Sequence, residues 1–354
     1  MFSCISNYFS HYYNYYFNYN NDYNTDNKTD YNSSNILTST NNSYINKETT
    51  SSLEIQDSYN LLFSTSKNSP KNIKLLFYQM YSNNNFPEYI ESKYSTIFTY
   101  NNKLFKINLK NNYKEYISII HTILNYKIKN IIIPEEIYYS KYKKNEYIEI
   151  FPYYSDGDLY TYVENNTLTL VEKNNIFTQL INIVNDLHQN NIAHRDIKLE
   201  NFLIQFTDNK LLIKITDLEF SCIGTTDLTF KGGTIQYTSY ELLNFESFTS
   251  WYSSDIWSLT VILYILLFNN FPWYNTISYK TYDNNKNNNI EPCIIFNNYL
   301  NKNPYEYWNT RLSKILNKNN EYFTIYNHLL AYGFNKNWNE RTDICYLQNL
   351  LTKL

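Results

Sequence analysis

The chain has 354 residues, and its 30 basic and 33 acidic side chains give a formal net charge of −3. That length allows one large or two smaller domains with a sizeable core, and the near-neutral charge predicts no broad basic surface for nucleic acid. With 40 Tyr, 21 Phe and only 5 Gly, the composition excludes collagen-like, disulfide-dense and membrane-spanning chains. The abundance of Asn and Tyr is typical of an AT-rich genome.

The first part of the chain, residues 1–56, consists mainly of Asn, Tyr, Ser and Thr and has neither a helical nor a strand period. That composition predicts a disordered leader, with the folded part beginning near residue 57. Residues 1–16 lack a basic start followed by an apolar core, so no secretory signal is predicted. Four widely separated cysteines have no metal-ligand spacing and indicate isolated thiols in a reducing compartment. They are Cys4, Cys222, Cys293 and Cys345.

Short alternating apolar runs between residues 95 and 150 predict the strands of a small antiparallel sheet. The runs are STIFTY at 95–100, KLFKINL at 103–109, NIIIP at 130–134 and EYIEIF at 146–151. The segment 113–128 has apolar residues at helical spacing, and it predicts a helix between the second and third strands. After Gly157 helical patterns predominate, at 175–191, at 255–268 and near the C-terminus.

A sheet followed by helices predicts an α+β fold with two lobes, an N-lobe at 57–154 and a C-lobe at 155–354. The longest apolar run, Ile256 to Phe268, is too short for a membrane span of about 20 residues. It predicts a buried helix, and no membrane partner is expected.

The stretch from His194 to Asn201 reads HRDIKLEN and lies between a predicted helix and the strand-like run FLIQF. It resembles the catalytic loop H-R-D-x-K-x-x-N of the eukaryotic-type protein kinases. The resemblance implies that Asp196 orients the substrate hydroxyl or accepts its proton, and that Lys198 steadies the transferred phosphoryl group. It also implies that Asn201 holds a metal ion at the nucleotide. Lys198 in this slot is the pattern of the Ser/Thr kinases.

A second carboxylate, Asp217 in LLIKITDLEFS, matches the Asp of the family's Asp-Phe-Gly motif. The resemblance implies that Asp217 binds the Mg²⁺ ions that bridge the nucleotide phosphates. Leu218 stands where the family has Phe, and it can fill the same apolar slot. Glu219 stands where the family has Gly, which is expected to restrict switching of the backbone without affecting metal binding.

Two further segments match the family in the same register. Residues 233–241 read GTIQYTSYE and resemble the substrate-binding segment G-T-x-x-Y-x-A-P-E, which implies that Thr234 lies beside Asp196 and Lys198. DIWS at 255–258 resembles the start of the central buried helix of the large lobe. In NERTD, Arg341 is implied to form a buried, structural ion pair with Glu241.

The small lobe matches the family less well, because the chain has no Gly before Gly157 where the family has a Gly-rich loop over the ATP phosphates. Alignment on STIFTY puts three other residues at the glycine positions, and with Lys106 as the strand lysine Leu104 would lie above the adenine. The three are Ile90, Ser92 and Ser95. Lys106 is implied to be the lysine that binds ATP, with an exposed strand lysine as the alternative. Its helix partner is open, since the family register lands on Ile119 and Glu115 lies one turn earlier.

The segment that follows EYIEIF resembles the hinge that holds adenine. The strand is predicted to end at Phe151, in the gatekeeper position, and Pro152 to Tyr154 would present their backbone groups to the adenine. Asp158 is a candidate ligand for the ribose hydroxyls, or alternatively the N-cap of the helix in GDLYTYV.

Together these matches predict a bilobal kinase-like fold that phosphorylates Ser or Thr in protein substrates with ATP and Mg²⁺. The alternative is a pseudokinase that acts as a nucleotide-binding or scaffold module. Missing glycines favour the alternative, whereas the joint presence of Asp196, Lys198, Asn201 and Asp217 argues against it. An intracellular, cytoplasmic location is expected. The composition fits a large DNA virus of amoebae as well as an AT-rich protist, and a viral protein would be found in the host cytoplasm or the virion.

Overall fold

The computed structural model describes residues 59–64, 89–91, 95–109, 113–140, 146–224, 234–243, 250–273, 299, 301–341 and 343–352. These residues form two compact units. The sheet unit contains the described residues up to 109 together with 133–153, and the helical unit contains the described residues within 112–132 and from 154 onwards. A sheet unit and a helical unit make the chain α+β, as predicted. The predicted leader, 1–56, lies outside the described residues.

The sheet unit is built from six antiparallel strands. They are β1 (Tyr59–Ser64), β2 (Tyr89–Glu91), β3 (Ser95–Tyr100), β4 (Lys103–Leu109), β5 (Glu136–Ser140) and β6 (Glu146–Pro152). Their order across the sheet is β1-β5-β6-β4-β3-β2, and every neighbouring pair is antiparallel. β1 therefore adds an edge strand beside β5, contributed by a segment in which the sequence predicted no strand.

The β3–β4 hairpin sets the register of the sheet. Its loop residues, Asn101 and Asn102, have φ values of 48° and 59°. A two-residue loop with positive φ at both positions matches the twist of a hairpin, and Asn tolerates this conformation better than most residues.

One face of the sheet buries an apolar cluster, because alternate side chains on each strand point to the same side. The cluster consists of Phe98, Phe105, Tyr138, Ile148 and Ile150.

The prediction of a strand at NIIIP was wrong. Ile131 makes only one isolated parallel bridge, to Ile215, and Pro134 cannot donate a backbone hydrogen bond to a ladder. The strand at this place in the sheet is β5, which begins two residues after Pro134. β6 also extends to Pro152, one residue beyond the predicted end of the strand.

The helical unit contains eight described helices and two small sheets. The helices are α1 (Tyr113–Asn125), α2 (Leu159–Asn165), α3 (Leu170–Gln189), α4 (Tyr240–Leu243), α5 (Trp251–Phe268), α6 (Pro304–Leu312), α7 (Glu321–Gly333) and α8 (Ile344–Leu351). The strands are β7 (Ile192–Ala193), β8 (Phe202–Thr207), β9 (Lys210–Ile215) and β10 (Cys222–Ile223). β7 pairs with β10 and β8 pairs with β9, both antiparallel. The helices predicted at 113–128, 175–191 and 255–268 correspond to α1, α3 and α5.

Helix α3 starts at a capping box. The side chain of Thr169 accepts a hydrogen bond from the backbone N–H of Glu172 at 3.3 Å, and the Glu172 side chain accepts one from the backbone N–H of Thr169 at 2.8 Å. Each bond satisfies an N–H that has no partner within the helix. The helix buries an apolar face and ends at Gln189, shortly before β7, which leads into the segment HRDIKLEN.

Helix α5 forms the centre of the helical unit. It is apolar and long enough to cross a membrane by length and composition, yet 89% of it is buried inside the structure. The predicted buried helix is therefore confirmed. Its Trp257 side chain is 1% exposed and packs edge-on against Phe334, with ring centroids 5.1 Å apart. Because α5 is surrounded by other elements, a polar residue on it must find its partners inside the protein.

Gly333 at the end of α7 permits a close approach to α5. A Cβ atom at Gly333 would lie 1.9 Å from Oγ1 and 2.8 Å from Cβ of Thr260. We expect Gly333→Ala to destabilise the fold by about 1–3 kcal/mol, the usual cost of overpacking a core. Thermal denaturation measures this change. In the background of Thr260→Ala, which removes the opposing hydroxyl and methyl groups, the same substitution should cost less, and an equal cost would contradict the close approach.

Candidate active site

The segment His194 to Lys198 runs from β7 towards β8 and is held by a carboxylate of α5. The backbone N–H groups of His194 and Arg195 donate to the two oxygens of Asp255, each at 2.8 Å. Arg195 has a φ of 71°, in a region that costs a non-glycine residue about 1–2 kcal/mol. Its guanidinium carbon lies 3.8 Å from the centroid of the Trp251 ring, which also holds the residue in place.

Asp255 connects three elements and was not identified from the sequence as a residue that holds the loop. Besides the loop, it contacts Nε2 of His188 on α3, with 2.9 Å between the atoms. The carboxylate is only 1% exposed, so these bonds compensate its burial. The sequence did carry a signal, because an acid at the start of a strongly apolar helix requires buried partners.

Asp196, Lys198 and Thr234 lie in direct contact. Lys198 Nζ is 2.9 Å from Asp196 Oδ2 and donates a hydrogen bond to Thr234 Oγ1 at 3.0 Å. The backbone N–H of Thr234 donates to Asp196 Oδ1 at 3.2 Å. Thr234 precedes a short 3-10 helix at Ile235–Tyr237. The structure therefore places Thr234 beside Asp196 and Lys198, as the motif implied.

Asn201 fixes the other side of Asp196. Its Nδ2 donates to the backbone oxygen of Asp196 at 2.8 Å and to Oδ2 at 3.1 Å. These two bonds determine which end of the amide carries the nitrogen and therefore where the amide oxygen lies. Asn201 ends the short 3-10 helix Leu199–Asn201 and is fully buried, so its orientation is set by the fold.

The charges of Asp196 and Lys198 are stabilised by each other. Burial acts to raise the pKa of Asp196, but Lys198, His194 and Asn201 outweigh it and hold that pKa below its ordinary value. Burial acts to lower the pKa of Lys198, but Asp196, Glu200 and Asp217 raise it above its ordinary value. At neutral pH the pair is therefore a carboxylate and an ammonium, which suits hydroxyl activation next to a phosphoryl group.

Asp217 follows β9 by two residues and lies close to the same loop. Its φ of 62° is in the left-handed region, where Asp is one of the better tolerated residues. The backbone N–H of the preceding residue, Thr216, donates to the backbone oxygen of Asn201 at 2.9 Å. The backbone oxygen of Thr216 lies 3.0 Å from Nε2 of His194. After Asp217, Leu218 is 2% exposed and so lies in the apolar interior, as expected for the slot of the family's Phe.

The donor set of Asp217 and Asn201 fits a hard cation. Carboxylate and amide oxygens are the ligands that Mg²⁺ prefers, and Mg²⁺ at nucleotide sites is usually held by one or two protein ligands plus phosphate oxygens. Within the described part of the chain, no group of three or more His, Cys, Asp or Glu side chains is placed to hold a metal. The two residues are thus suited to a metal that arrives with a nucleotide.

Two of the predicted nucleotide ligands in the helical unit have structural contacts. Asp158 is the N-cap of α2, since its Oδ1 accepts from the Thr161 N–H at 2.8 Å and its Oδ2 from the Thr161 hydroxyl at 3.1 Å. The capping alternative is therefore correct, and a contact of Asp158 with ribose stays a prediction. The hydroxyl of Tyr154 accepts a hydrogen bond from Lys214 Nζ at 3.0 Å.

The remaining nucleotide candidates belong to the sheet unit. Ser95 is the first residue of β3, and Ser92 lies outside the described residues. Leu104 on β4 is paired with Phe151 on β6, and Lys106 is on the same face of β4 because side chains alternate along a strand. Pro152 ends β6. Binding of ATP by these residues stays a prediction.

The two candidate partners of Lys106 on α1 belong to the helical unit. Ile119 is fully buried and apolar, so it offers no charge. Burial is the largest cause of the raised pKa of Cys222 on β10, and the Glu115 carboxylate adds to this effect. The position of Glu115 is therefore close enough to β10 to affect a residue there.

Glu241 and Arg341 form the ion pair that the motifs implied. Arg341 Nη1 donates to Glu241 Oε1 at 2.9 Å, and Nη2 donates to Oε2 at 2.7 Å. Nη1 also donates to the backbone oxygen of Ser253 on α5 at 2.7 Å. Both side chains are 0% exposed, so this pair, a hundred positions apart in the chain, is fully enclosed.

Comparison with known proteins gives relatives that carry kinase names. The chain is 38% identical over 128 residues to NUAK family SNF1-like kinase 2 of Homo sapiens, covering 35% of this chain and 20% of that protein. It is 33% identical over 150 residues to "Probable serine/threonine-protein kinase nek1" of Dictyostelium discoideum, covering 36% of this chain and 30% of that protein. The match to Serine/threonine-protein kinase grp of Drosophila melanogaster is 37% over 134 residues, with 36% and 25% covered.

The matched segments span about a fifth to three tenths of these relatives, so the likeness concerns one part of each. The family profile "Protein kinase domain" matches residues 97–342 of this chain, which is more than half of its length. That range begins within β3, includes β4 to β10, and contains the segments that hold Asp196, Asp217 and Arg341. Kinase activity with ATP and a divalent metal is the general property of this family. The chain belongs to the protein kinase domain family.

Proposed function

We propose that this chain transfers the γ-phosphoryl group of ATP to Ser or Thr hydroxyls of protein substrates, in a Mg²⁺-dependent reaction. The observation that carries the proposal is the group formed by Asp196, Lys198, Asn201 and Thr234, in which a buried carboxylate is kept ionised beside an ammonium. Phosphoryl transfer depends mainly on positioning and on neutralising charge, and this group supplies both.

Each residue of the group has a role that follows from its contacts. Asp196 orients the attacking hydroxyl and accepts its proton, because its pKa leaves it ionised at neutral pH. Lys198 stabilises the negative charge of the phosphoryl group, since it carries a buried cation 2.9 Å from Asp196. Thr234 hydrogen bonds to both and fixes their separation.

Asp217 and Asn201 are the residues that would hold Mg²⁺. When bound, the metal neutralises charge on the phosphate oxygens. The residues themselves fix where such an ion can bind, because Asn201 is oriented by Asp196 and the segment before Asp217 is tied to Asn201. Lys106 is proposed to bind the phosphates of ATP.

The Ser/Thr specificity is supported by two independent features. Lys198 and Thr234 follow the pattern of Ser/Thr kinases and contact each other. Two of the relatives named above carry serine/threonine kinase names. An intracellular location is proposed from the four separate cysteines of the chain, which resemble the thiols of reducing compartments.

Asp217→Ala tests the metal site. We expect the gain in ATP affinity that Mg²⁺ gives the wild type to fall by on the order of tenfold or more, because a charged ligand is lost. Asn201→Ala should reduce the gain less, since it removes a neutral ligand. Nucleotide-induced shifts in melting temperature, measured with Mg²⁺ and with EDTA, report both effects.

Asp186→Ala is the matched control, because it removes an exposed carboxylate from α3 and should leave the Mg²⁺ effect unchanged. Equal Mg²⁺-dependent affinity in wild type and Asp217→Ala would refute the metal site. A wild-type protein that binds ATP with Mg²⁺ but phosphorylates no generic substrate would favour the pseudokinase alternative.

A further inference from the structure

Glu149 is a fully buried carboxylate in the middle of the sheet unit. It is 0% exposed and lies on β6, which runs between β5 and β4. The residues directly opposite it are Ile137 on β5 and Lys106 on β4. Opposite residues of antiparallel strands project from the same face with Cβ atoms about 4.5–5.5 Å apart. Of the two residues opposite Glu149, Lys106 is the one that carries a charge.

Asn108 holds Glu149 on the β4 side. Its Nδ2 donates to Glu149 Oε2 at 2.6 Å, and Asn108 is itself only 4% exposed. Asn108 is two residues beyond Lys106 on the same strand, so both side chains project from the same face. The Glu149 carboxylate is therefore directed towards β4, the strand that carries Lys106.

An ionised Glu149 needs a compensating charge as well as a hydrogen bond. A buried carboxylate is stable only when its charge is compensated and its oxygens accept hydrogen bonds. Asn108 provides a hydrogen bond but no charge. Lys106 can provide that charge from the same unit and the directly opposite position.

We propose that Glu149 is the counter-charge and positioning residue of Lys106, with Asn108 fixing the carboxylate. The proposal rests on the proposed function, in which Lys106 binds the phosphates of ATP. A strand carboxylate then takes the role for which the sequence left the helix partner open.

A double-mutant cycle on stability tests the pair without any need for phosphoryl transfer. Lys106→Met leaves the Glu149 charge buried without its counter-charge, so the melting temperature should fall. Adding Glu149→Gln removes that charge while keeping the shape and the hydrogen bond with Asn108. The double variant should therefore recover part of the lost melting temperature. A loss in the double variant that equals the sum of the two single losses overturns the proposal.

A second cycle measures the affinity for ATP with Mg²⁺. Glu149→Gln should weaken binding about tenfold, which corresponds to roughly 1.4 kcal/mol. Lys106→Met should weaken it to a similar degree, and the double variant should be no weaker than Lys106→Met alone. A merely structural role of Glu149 would make the two losses additive. Glu146→Gln is the matched control, because Glu146 is buried on the same strand but on the opposite face, and it should bind ATP like the wild type.

The outcomes separate this proposal from the proposed function. If the wild type transfers no phosphate, the stability cycle still reports whether Lys106 and Glu149 compensate each other. If Glu115→Gln weakens ATP binding about tenfold and Glu149→Gln does not, α1 holds the lysine and the proposal is overturned.

Discussion

Asp196→Asn is expected to lower kcat for phosphoryl transfer by about 10²–10⁴-fold, the usual contribution of a positioned acid–base group. Affinity for ATP should stay nearly unchanged, because in the proposed reaction Asp196 acts on the substrate hydroxyl and not on the nucleotide. Asn retains the shape of the side chain, but its one amide oxygen can accept from only one of the Thr234 and Asn201 donors, and it cannot accept the proton. A kinase assay with a generic Ser/Thr substrate, combined with an ATP binding measurement, checks both statements.

The same variant leaves the buried Lys198 without the carboxylate 2.9 Å away, so its folding must be measured as well. A melting curve with bound nucleotide shows whether the variant is folded under assay conditions. Asp186→Asn, at an exposed position of α3, provides the matched control for the loss of an acid. Turnover at the wild-type level in folded Asp196→Asn would disprove the catalytic role of Asp196.

Arg341→Ala is expected to destabilise the fold by about 3–5 kcal/mol, because it leaves the carboxylate of Glu241 buried without its partner. That loss is a large part of a typical domain stability of about 5–15 kcal/mol. The melting temperature should fall by on the order of 10 °C. The effect should appear without ATP, since Arg341 contacts Glu241 and backbone oxygens of Ser253 and Asn335.

Two other variants separate architecture from chemistry. Arg311→Ala removes a partly buried arginine that donates to the Tyr264 hydroxyl at 3.0 Å and lies over the Tyr307 ring, so it should cost less stability than Arg341→Ala. Lys106→Ala should weaken ATP binding, which distinguishes it from Arg341→Ala, and should lower stability only through the loss of the counter-charge of Glu149. If Arg341→Ala melts like the wild type, the ion pair with Glu241 does not stabilise the helical unit.

The residues of the proposed catalytic group could be identified from the sequence because they follow one another on one short segment. A hydroxyl acceptor, a cation and an amide ligand are needed at fixed separations, and HRDIKLEN supplies them within eight positions. The Glu241–Arg341 pair was predictable for a similar reason, since each residue lies in its own local motif. Helices α1, α3 and α5 were predictable from periodicity, because burial of one face, or of all faces for α5, leaves a pattern in the sequence.

The tertiary structure alone decided which residues meet across strands and between distant elements. The segment NIIIP is as apolar as a typical strand, yet it lies outside the sheet. Pro134 cannot donate a backbone hydrogen bond to a ladder, and Ile131 makes a single isolated bridge to Ile215. Asp255 was recognised as the residue that holds the loop with Asp196 through its bonds to His194 and Arg195. Glu149 lies opposite Lys106 because of the β4–β6 register. A strand register and a long-range hydrogen bond depend on how separate segments pack, and the local sequence of either segment does not encode that choice.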